Sequence, residues 1–386
     1  MSPRQGRIKL AVLSDDLTRP EVRGLARYTA GLVRALGESE AVDLVLCARS
    51  PLASAYDDLP GERCIWPGRR EILWEQWDLP QLVKRKRIDV LHAPSNRGLP
   101  AFGGCPTVLT RHDAIERLFP LDFPGSPRSR FRMYYSDEIS VRRASRIATV
   151  SETSRRDILS VWSLREERVV VAGEGIPDRF FENISDRAVS NVQNKYGLRA
   201  PFLLYLGGLD PRKDGTILVE AYAGWRRRDV GCVIAGSTRG HLCHLRETIA
   251  KQGLEDSVLI LGQVDDEDVP ALYRAAACFV YPSRYEGFGL QAVEAMALGV
   301  PLIVSDGGAL PEVAGDAALI FSAGDQHGLR DCLDRMFADG ALRETLVERG
   351  KIRAERFRWH RVVPRYISLY RDLLSGGASG PPARCG

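Results

Sequence analysis

One segment orders the rest of the chain, and it reads Tyr281-Pro-Ser-Arg-Tyr-Glu-Gly-Phe-Gly-Leu-Gln-Ala-Val-Glu-Ala-Met-Ala-Leu-Gly-Val-Pro-Leu-Ile-Val-Ser305. The apolar run that ends at Tyr281 is typical of a strand buried on both faces. Gly287 and Gly289 permit a tight turn, and the apolar spacing that follows predicts a helix to 298. The next Gly-Val-Pro ends that helix, and 302–304 predicts another strand. The segment therefore has the strand, loop, helix and strand of a parallel α/β sheet.

The start of this helix is suited to bind an anion. Free N–H groups and the positive end of the helix dipole favour a phosphate there, and glycines leave room for one. Glu286 lies in the loop before the helix, and Glu294 lies about one and a half turns inside it. Carboxylates accept hydrogen bonds from hydroxyls, so a phosphate flanked by hydroxyls, as in a nucleotide sugar, fits the turn. The alternative is that both glutamates are solvated surface charges.

These residues resemble the donor-site signature of the retaining family-4 glycosyltransferases. Their pattern is a glutamate, seven residues and a second glutamate, with Gly-Phe-Gly-Leu after the first. The resemblance implies that Glu286 contacts hydroxyls of the donor sugar and that Glu294 binds the nucleotide ribose. Phe288, Gly289 and Leu290 complete the implied donor-binding turn. It also implies the GT-B fold, in which two Rossmann-like, doubly wound domains have parallel sheets that face each other across a cleft.

Composition sets limits on size, partners and compartment. A chain of 386 residues with 44% hydrophobic and 27% charged residues predicts two globular domains. The formal net charge of +4 is too small to indicate nucleic-acid binding. Eight scattered cysteines without a Cys-x-x-Cys pair favour thiols in a reducing cytosol over disulfides. We see no signal-peptide pattern and no run of ~18 apolar residues, so we expect a cytoplasmic protein whose membrane contact, if any, is peripheral.

The N-terminal part begins like a doubly wound domain. Residues 8–13 predict a strand, and Gly24 opens an amphipathic helix that extends to 36. Gly-x-Gly-x-x-Gly is absent, which argues against a dinucleotide site. The Gly-Leu-Ala-Arg-Tyr-Thr of this helix resembles the first helix of the same transferase family. The resemblance implies that Gly24 lets the donor phosphate and the acceptor approach.

A histidine and an aspartate follow the predicted strand that begins at Pro106. Ligands of open parallel sheets bind at the carboxyl ends of the strands, where His112 and Asp113 lie. A histidine there can donate to a sugar hydroxyl or exchange a proton, although a structural histidine is the alternative. The family has a His-Asp pair at this place, which implies that His112 faces the donor sugar. Asp113 either orients the loop or accepts a hydrogen bond from the acceptor nucleophile.

Two cations follow the predicted strand at 202–206. Arg212 and Lys213 end the loop Gly207-Gly-Leu-Asp-Pro-Arg-Lys-Asp214, where they would neutralise a departing diphosphate. Gly-x-x-x-Pro-Arg-Lys resembles one branch of the family. Many members instead carry the arginine directly after the glycine, where Gly208 or Leu209 stands here. The resemblance therefore carries over to Lys213 more directly than to Arg212.

The basic stretch from Arg128 to Arg146 has aromatic residues among its arginines. Such a helix can rest on an anionic membrane or hold a lipid-phosphate acceptor, and a solvated arginine-rich face is the alternative. The arginines are Arg128, Arg130, Arg132, Arg142, Arg143 and Arg146.

The predicted layout has an acceptor-binding domain at 1–185 and a donor-binding domain at 195–355. A final helix at 356–375 crosses back to the first domain, as the resemblance implies. We place the interdomain linker in the polar stretch 178–200, which lacks a strand pattern.

Taken together, these residues predict a retaining hexosyltransferase that uses a nucleotide-diphospho-sugar and a hydroxyl acceptor (a glycan, a lipid-linked saccharide or a small natural product). We expect no metal and no cofactor, because no Asp-x-Asp motif stands in the expected place and two basic side chains can replace a cation. His241 and His244 could chelate zinc, but no further ligands lie near them in sequence. Same-face attack, with the leaving phosphate helping to deprotonate the acceptor, is implied by the resemblance alone. The alternatives are a sugar-nucleotide epimerase of the same fold and a non-catalytic nucleotide-sugar-binding protein.

Overall fold

The computed structural model of the protein describes residues 6–19, 24–66, 71–123, 126–227, 229–237 and 242–376, without the side chains of 127–130 and 132. The chain forms two compact units. The first contains Met1–Gly175 and Trp359–Gly386, and the second contains Ile176–Arg358.

The first unit is built on a seven-stranded parallel sheet with the strand order β3-β2-β1-β4-β5-β6-β7. Its strands are β1 (Ile8–Leu13), β2 (Val42–Ala48), β3 (Glu62–Ile65), β4 (Val90–Ala93), β5 (Thr107–Thr110), β6 (Arg146–Thr149) and β7 (Val169–Val171). Its helices up to residue 175 are α1 (Gly24–Gly37), α2 (Glu71–Leu73), α3 (Leu79–Lys86), α4 (Ile115–Leu118), α5 (Pro127–Arg143) and α6 (Glu152–Trp162).

Both faces of this sheet are covered. Side chains alternate along a strand, so Leu10 and Val12 of β1 pack into one apolar cluster, and Ala11 and Leu13 pack into another. Strands buried in this way appear in the sequence as continuous apolar runs.

The second unit is built on a six-stranded parallel sheet with the order β10-β9-β8-β11-β12-β13. Its strands are β8 (Phe202–Leu206), β9 (Gly231–Ala235), β10 (Val258–Gly262), β11 (Cys278–Tyr281), β12 (Leu302–Ser305) and β13 (Leu319–Phe321). Its helices are α7 (Asp186–Tyr196), α8 (Gly215–Gly224), α9 (Leu242–Lys251), α10 (Val269–Ala275), α11 (Leu290–Ala297), α12 (Leu310–Ala314), α13 (Gln326–Ala338) and α14 (Gly340–Ala354).

The last helix, α15 (Trp359–Leu374), belongs to the first unit and packs on α1. Gly31 of α1 makes room for Trp359, because a Cβ at Gly31 would lie 2.5 Å from indole Cε2. The Tyr366 hydroxyl lies 2.6 Å from that of Tyr28 and donates to the Gly173 carbonyl at 2.9 Å. The first unit is therefore assembled from both ends of the chain.

Two Rossmann-like units with parallel sheets confirm the predicted fold class. In each sheet the strand order reverses once, between β1 and β4 in the first unit and between β8 and β11 in the second. Ligands of such sheets bind beyond the carboxyl ends of the strands at this switch point. Among the described helices, none combines the length and the apolar character needed to cross a membrane.

The structure assigns the whole of the predicted linker, 178–200, to the second unit. Residues 186–196 form α7, whose N-terminus is capped by the Ser185 side chain and whose Val192 is buried. Lys195 pairs with Asp265 at 2.7 Å and with Asp268 at 2.6 Å, just before α10. These contacts make the polar stretch a packed helix, and the units divide between 175 and 176 and again between 358 and 359.

Candidate functional site

Two loops bring charged side chains together at the switch point of the second unit. The loop after β8 ends in a short helical turn, Pro211–Lys213, and the loop after β11 carries Glu286. Glu286 Oε1 lies 2.7 Å from Lys213 Nζ and 3.2 Å from an Arg212 Nη atom. The Ser283 hydroxyl donates to the same oxygen at 2.6 Å. Three residues singled out from the sequence therefore form one cluster with a side chain that was not.

The charge state of this cluster follows from its neighbours. Burial alone would raise the pKa of Glu286, but the Lys213 and Arg212 charges outweigh it and hold that pKa below its ordinary value. Glu286 is therefore ionised at neutral pH and can only accept hydrogen bonds. Lys213 Nζ also donates to the Tyr281 hydroxyl at 2.9 Å, and that hydroxyl donates to Gln291 at 3.0 Å. The ammonium group is thus held in one place.

Glycines shape the turn in front of α11. Gly289 has φ of +100°, and a Cβ there would lie 2.5 Å from Cδ2 of Leu310. The Glu286 carbonyl accepts from Ala309 N at 2.8 Å, and a Cβ on Gly308 would overlap the Glu286 backbone. Only glycine fits at these positions, so the 283–289 loop lies directly on 307–310 and Glu286 is fixed.

The other predicted donor residues are covered by protein to different degrees. Glu294 in α11 is buried, and its Oε2 accepts from the Tyr273 hydroxyl at 3.2 Å. Phe288 is buried edge-to-face against Phe357, with ring centroids 5.5 Å apart. Leu290 is partly exposed as the first residue of α11. Tyr273 was not found from the sequence, because it belongs to no motif in the short helix α10.

His112 is buried in the first unit at the end of β5. Its backbone N donates to Asn96 Oδ1 at 2.8 Å, and its Nε2 lies 3.0 Å from the Pro94 carbonyl. Because Nε2 donates to a carbonyl, the neutral ring has Nδ1 as its acceptor. Burial lowers the pKa of His112, with the Pro94 hydrogen bond opposing. The ring also packs edge-on against Tyr28, with centroids 4.4 Å apart.

Glu174 is a buried residue near His112 that the sequence analysis missed. Its Oε2 lies 3.9 Å from His112 Nδ1. It lies in the segment 172–175 that follows β7. No motif in the sequence pointed to this residue.

Asp113 and Gly24 have simpler surroundings. Asp113 Oδ1 accepts from Ile115 N at 3.0 Å, at the start of α4, and both of its predicted roles stay predictions. Gly24 is the exposed first residue of α1, and residues 20–23 before it lie outside the described chain.

A buried ionic network supports the loop that carries His112. The Arg111 guanidinium lies 3.2 Å from the Asp137 carboxylate, and both side chains are fully buried. Arg111 Nε also donates to the Asp113 carbonyl at 2.8 Å. Arg97 lies 3.4 Å from the other oxygen of Asp137. Sequence reasoning did not find this network, because nothing local distinguishes Arg111 from the many exposed arginines.

The basic stretch is only partly described. Arg146 begins β6, Arg142 pairs with Glu138 at 2.7 Å, and the Arg143 guanidinium lies 5.3 Å from the Phe102 ring centroid. The side chains of Arg128, Arg130 and Arg132 are outside the description. Phe131 and Tyr135 are exposed and stack with centroids 6.2 Å apart.

Within the described ranges, no three His, Cys, Asp or Glu side chains are grouped so as to hold a metal ion. His241 of the His241–His244 pair lies outside those ranges. Metal independence therefore stays a prediction.

Comparison with known proteins adds two family matches. A family model described as "Glycosyltransferase Family 4" matches residues 22–180, and one described as "Glycosyl transferases group 1" matches residues 187–353. These ranges lie largely in the first and second units, respectively.

Curated relatives and a solved structure agree with these matches. The chain is 33% identical over 252 residues to O-antigen chain mannosyltransferase B of Escherichia coli, covering 64% of this chain and 66% of that protein. It is 29% identical over 296 residues to D-inositol 3-phosphate glycosyltransferase of Salinispora arenicola, covering 72% and 65%. The alignments thus span just under two thirds of each relative. The fold is similar to that of Anabaena HepE in complex with UDP and glucose (TM-score 0.74, 19% identity, 94% and 99% covered).

Proposed function

Because this chain belongs to glycosyltransferase family 4, we propose that it is a retaining, metal-independent glycosyltransferase. It moves a hexose from a nucleotide-diphospho-sugar to a hydroxyl group of an acceptor. The relatives suggest mannose as the first sugar to test, since O-antigen chain mannosyltransferase B is among them.

The observation that carries this proposal is the cluster at the β8/β11 switch point. Lys213 and Arg212 give two positive charges next to one ionised carboxylate, Glu286, in front of the N-terminus of α11. Asp210 also lies 3.9 Å from Arg212. Two cations beside a helix N-terminus supply the donors that a diphosphate needs. The carboxylate suits the hydroxyls of the attached sugar. Glu294, deeper in the same helix, is assigned to the ribose.

The atoms that change bonds in the proposed reaction all belong to the two substrates. The acceptor oxygen forms its bond to the anomeric carbon on the face from which the diphosphate departs. The bond from that carbon to the diphosphate oxygen breaks, and the hydroxyl proton passes to a phosphate oxygen. Lys213 and Arg212 stabilise the charge that develops on the diphosphate. His112, neutral and buried, is assigned to a hydrogen bond with the donor sugar.

Two experiments test the donor half. A thermal-shift screen against UDP-, GDP-, dTDP- and ADP-sugars identifies the donor, and turnover of that donor is then measured for Glu286→Ala and Lys213→Ala. Exposed Glu255 and Lys251 of the same unit provide matched controls as alanine variants. We expect both site variants to lose transfer and both controls to keep it. Turnover near the parental rate in both site variants would refute the assignment.

Metal independence is tested with EDTA. Because two fixed cations face the proposed diphosphate position, we expect full turnover in EDTA. Loss of turnover that Mg²⁺ or Mn²⁺ restores would contradict this part of the proposal. Formation of a new nucleotide sugar from the donor alone, without release of nucleotide, would instead favour an epimerase.

We also propose that the protein acts in the cytoplasm and touches the membrane peripherally through α5. All cysteines within the described ranges are free, as is usual in a reducing compartment. Phe131 is 73% exposed beside exposed Tyr135, in a helix that carries several arginines. Co-sedimentation with vesicles that contain anionic lipid should fall in a Phe131→Ser/Tyr135→Ser variant. Equal sedimentation of parent and variant would exclude this surface.

A further inference from the structure

The switch point of the first unit also brings side chains together. Asp15 and Asp16 follow β1, and Ser95 follows β4. The Ser95 hydroxyl donates to Asp16 Oδ2 across this point. The next residue, Asn96, accepts from the backbone N–H of His112 at 2.8 Å. Asp16 is therefore connected to His112 through two consecutive residues of one loop.

Glu75 lies beside this loop and is buried. It is in a single π-helical turn, Trp74–Asp78, whose Gln76 side chain accepts from Ala101 N at 2.6 Å. A Cβ built on Gly98 would lie 3.8 Å from Glu75 Oε1, so the carboxyl reaches the loop after β4. The residue is only 7% exposed.

Among the residues that the structure describes, none forms a hydrogen bond or ion pair with the Glu75 carboxyl. Buried carboxyl groups without such a partner are costly and rare, so this one calls for an explanation. A ligand that supplies the missing hydrogen bonds is one.

The nearby guanidinium groups already have carboxylate partners. Arg49 pairs with Asp15 at 2.8 Å, and Arg97 lies 3.4 Å from Asp137 and 3.7 Å from Glu116. A phosphate placed here would lie next to acidic groups. Among the described arginines nearby, only Arg19, the last residue before the gap at 20–23, is not already paired with a carboxylate in this way. The surroundings therefore disfavour an anionic ligand.

The protonation of the two acids favours an uncharged partner. Burial, with Glu71 adding to it, raises the pKa of Glu75 to about 7. Burial, with Asp15 adding to it, raises the pKa of Asp16 to about 6. At neutral pH the Glu75 carboxyl is near half protonation and can both donate and accept, whereas Asp16 is mostly ionised and accepts; both suit the hydroxyl groups of a sugar.

We propose that Asp16 and Glu75 form the part of the acceptor site that holds hydroxyl groups of an uncharged sugar. This inference rests on the proposed function and deepens it. It distinguishes this chain from a transferase whose acceptor carries a phosphate.

The test uses the full chain and the nucleotide sugar selected by the thermal-shift screen. Transfer is measured to two uncharged acceptors, methyl α-D-mannopyranoside and α-1,3-mannobiose, and to two phosphorylated ones, mannose 6-phosphate and D-inositol 3-phosphate. We expect transfer to an uncharged acceptor and little to the phosphorylated pair. Glu75→Leu should raise the acceptor KM by roughly tenfold or more, because a bound hydroxyl loses its partner. The donor KM and the acceptor-free hydrolysis of donor should not change.

Two further variants separate recognition from folding. Glu75→Gln keeps a donor and an acceptor and should recover most of the acceptor affinity, whereas the exposed Glu40→Leu serves as the matched control. Without ligand, Glu75→Leu should melt no lower than the parent, because it removes an unpaired buried carboxyl. A carboxyl with a structural role would instead give a lower melting temperature.

Several results overturn the inference while the donor half stands. These are transfer to the phosphorylated acceptors alone, donor hydrolysis without transfer to either uncharged acceptor, and an unchanged acceptor KM in Glu75→Leu. A parent protein that neither binds nor turns over any nucleotide sugar overturns the proposed function and this inference together.

Discussion

Replacing Glu286 with glutamine separates two roles of the cluster at the switch point of the second unit, which are binding the diphosphate and contacting the sugar. The amide keeps the shape and one acceptor for Ser283, but it removes the negative charge that Lys213 contacts at 2.7 Å and Arg212 at 3.2 Å. Lys213 then loses its carboxylate partner, and Arg212 keeps Asp210 at 3.9 Å. We expect lower stability, lower turnover and tighter binding of nucleoside diphosphate in the same variant.

The magnitudes follow from burial and charge. Breaking a fully buried ion pair costs about 3–5 kcal/mol. Both cations keep some solvent contact, since each side chain is 14% exposed. We therefore expect a loss of about 2 kcal/mol, which lowers the melting temperature of a unit of this size by about 4–8 °C. Loss of an electrostatic contact to the reacting sugar should reduce turnover by about 10²–10³-fold.

Binding of the diphosphate should change in the opposite direction. In the parent, a diphosphate competes with the Glu286 carboxylate for Lys213 and Arg212, whereas Glu286→Gln removes that competitor. Titration calorimetry with UDP and GDP should show affinity raised about tenfold, equal to about 1.4 kcal/mol. Lys213→Gln serves as the comparison, because it should lose both turnover and diphosphate affinity.

The reasoning is refuted if Glu286→Gln turns over donor at the parental rate and melts at the parental temperature. Weaker binding of UDP and GDP in this variant would show that the carboxylate does not compete for the cations. Either result would remove the cluster from the proposed donor site.

Three further changes test the surrounding structure. Arg111→Met should lower the free energy of unfolding in urea by about 3–5 kcal/mol, because it leaves buried Asp137 short of a partner; adding Asp137→Leu should recover most of that loss. Gly289→Ala should cost about 1–3 kcal/mol in thermal melts, because φ is +100° and the Cβ is crowded; Gly253→Ala has φ of +63° without a neighbour within 4 Å and should cost less. Folding raises the pKa of Glu75 from 4.5 to about 7, so the folded state binds the proton more tightly than the unfolded state. The free energy of unfolding should therefore fall by up to about 3 kcal/mol as the pH rises from below 4.5 to above 7. Urea titrations below and above this pH range should show the fall in the parent and not in Glu75→Leu.

The parallel strands were predictable because burial on both faces leaves a direct signal. β1 and β8 have the bounds that their apolar runs predict, β11 ends at the predicted Tyr281, and β12 extends one residue beyond the predicted 302–304. The edge strand β3, Glu62–Ile65, was missed because its residues are half exposed and include two charges. The turn at Gly289 was predictable because few residues other than glycine adopt its conformation.

Helix α7 shows where composition misleads. Its sequence is polar because it buries little more than Val192, so it resembled a linker. The stabilising features are at its ends and outside it. Ser185 caps its start, Gly197 ends it with φ of +65°, and Lys195 binds two aspartates of a distant loop. The caps were visible in the sequence, whereas the tertiary ion pairs were not.

In the candidate site, too, some residues were predictable from sequence motifs and others were not. Motif spacing indicated Glu286, Lys213 and His112 one at a time, but no local pattern shows that the carboxylate and the ammonium contact each other. Glu75 and Glu174 carried no motif at all. They became visible only when folding buried them, because a buried carboxyl is unusual and a carboxyl in a sequence is not.

The two switch points have different charges, and the difference fits the two halves of a glycosyl transfer. In the second unit, Lys213 and Arg212 lie in front of the N-terminus of α11, so charged donors and the helix dipole favour a diphosphate in both its bound and its departing state. In the first unit, burial raises the pKa of Asp16 to about 6 and that of Glu75 to about 7, so Glu75 is partly protonated at neutral pH and the two acids suit neutral hydroxyls. A protein that only bound nucleotide sugars would need the first arrangement and not the second. The presence of both on one chain therefore favours transfer over storage of a nucleotide sugar.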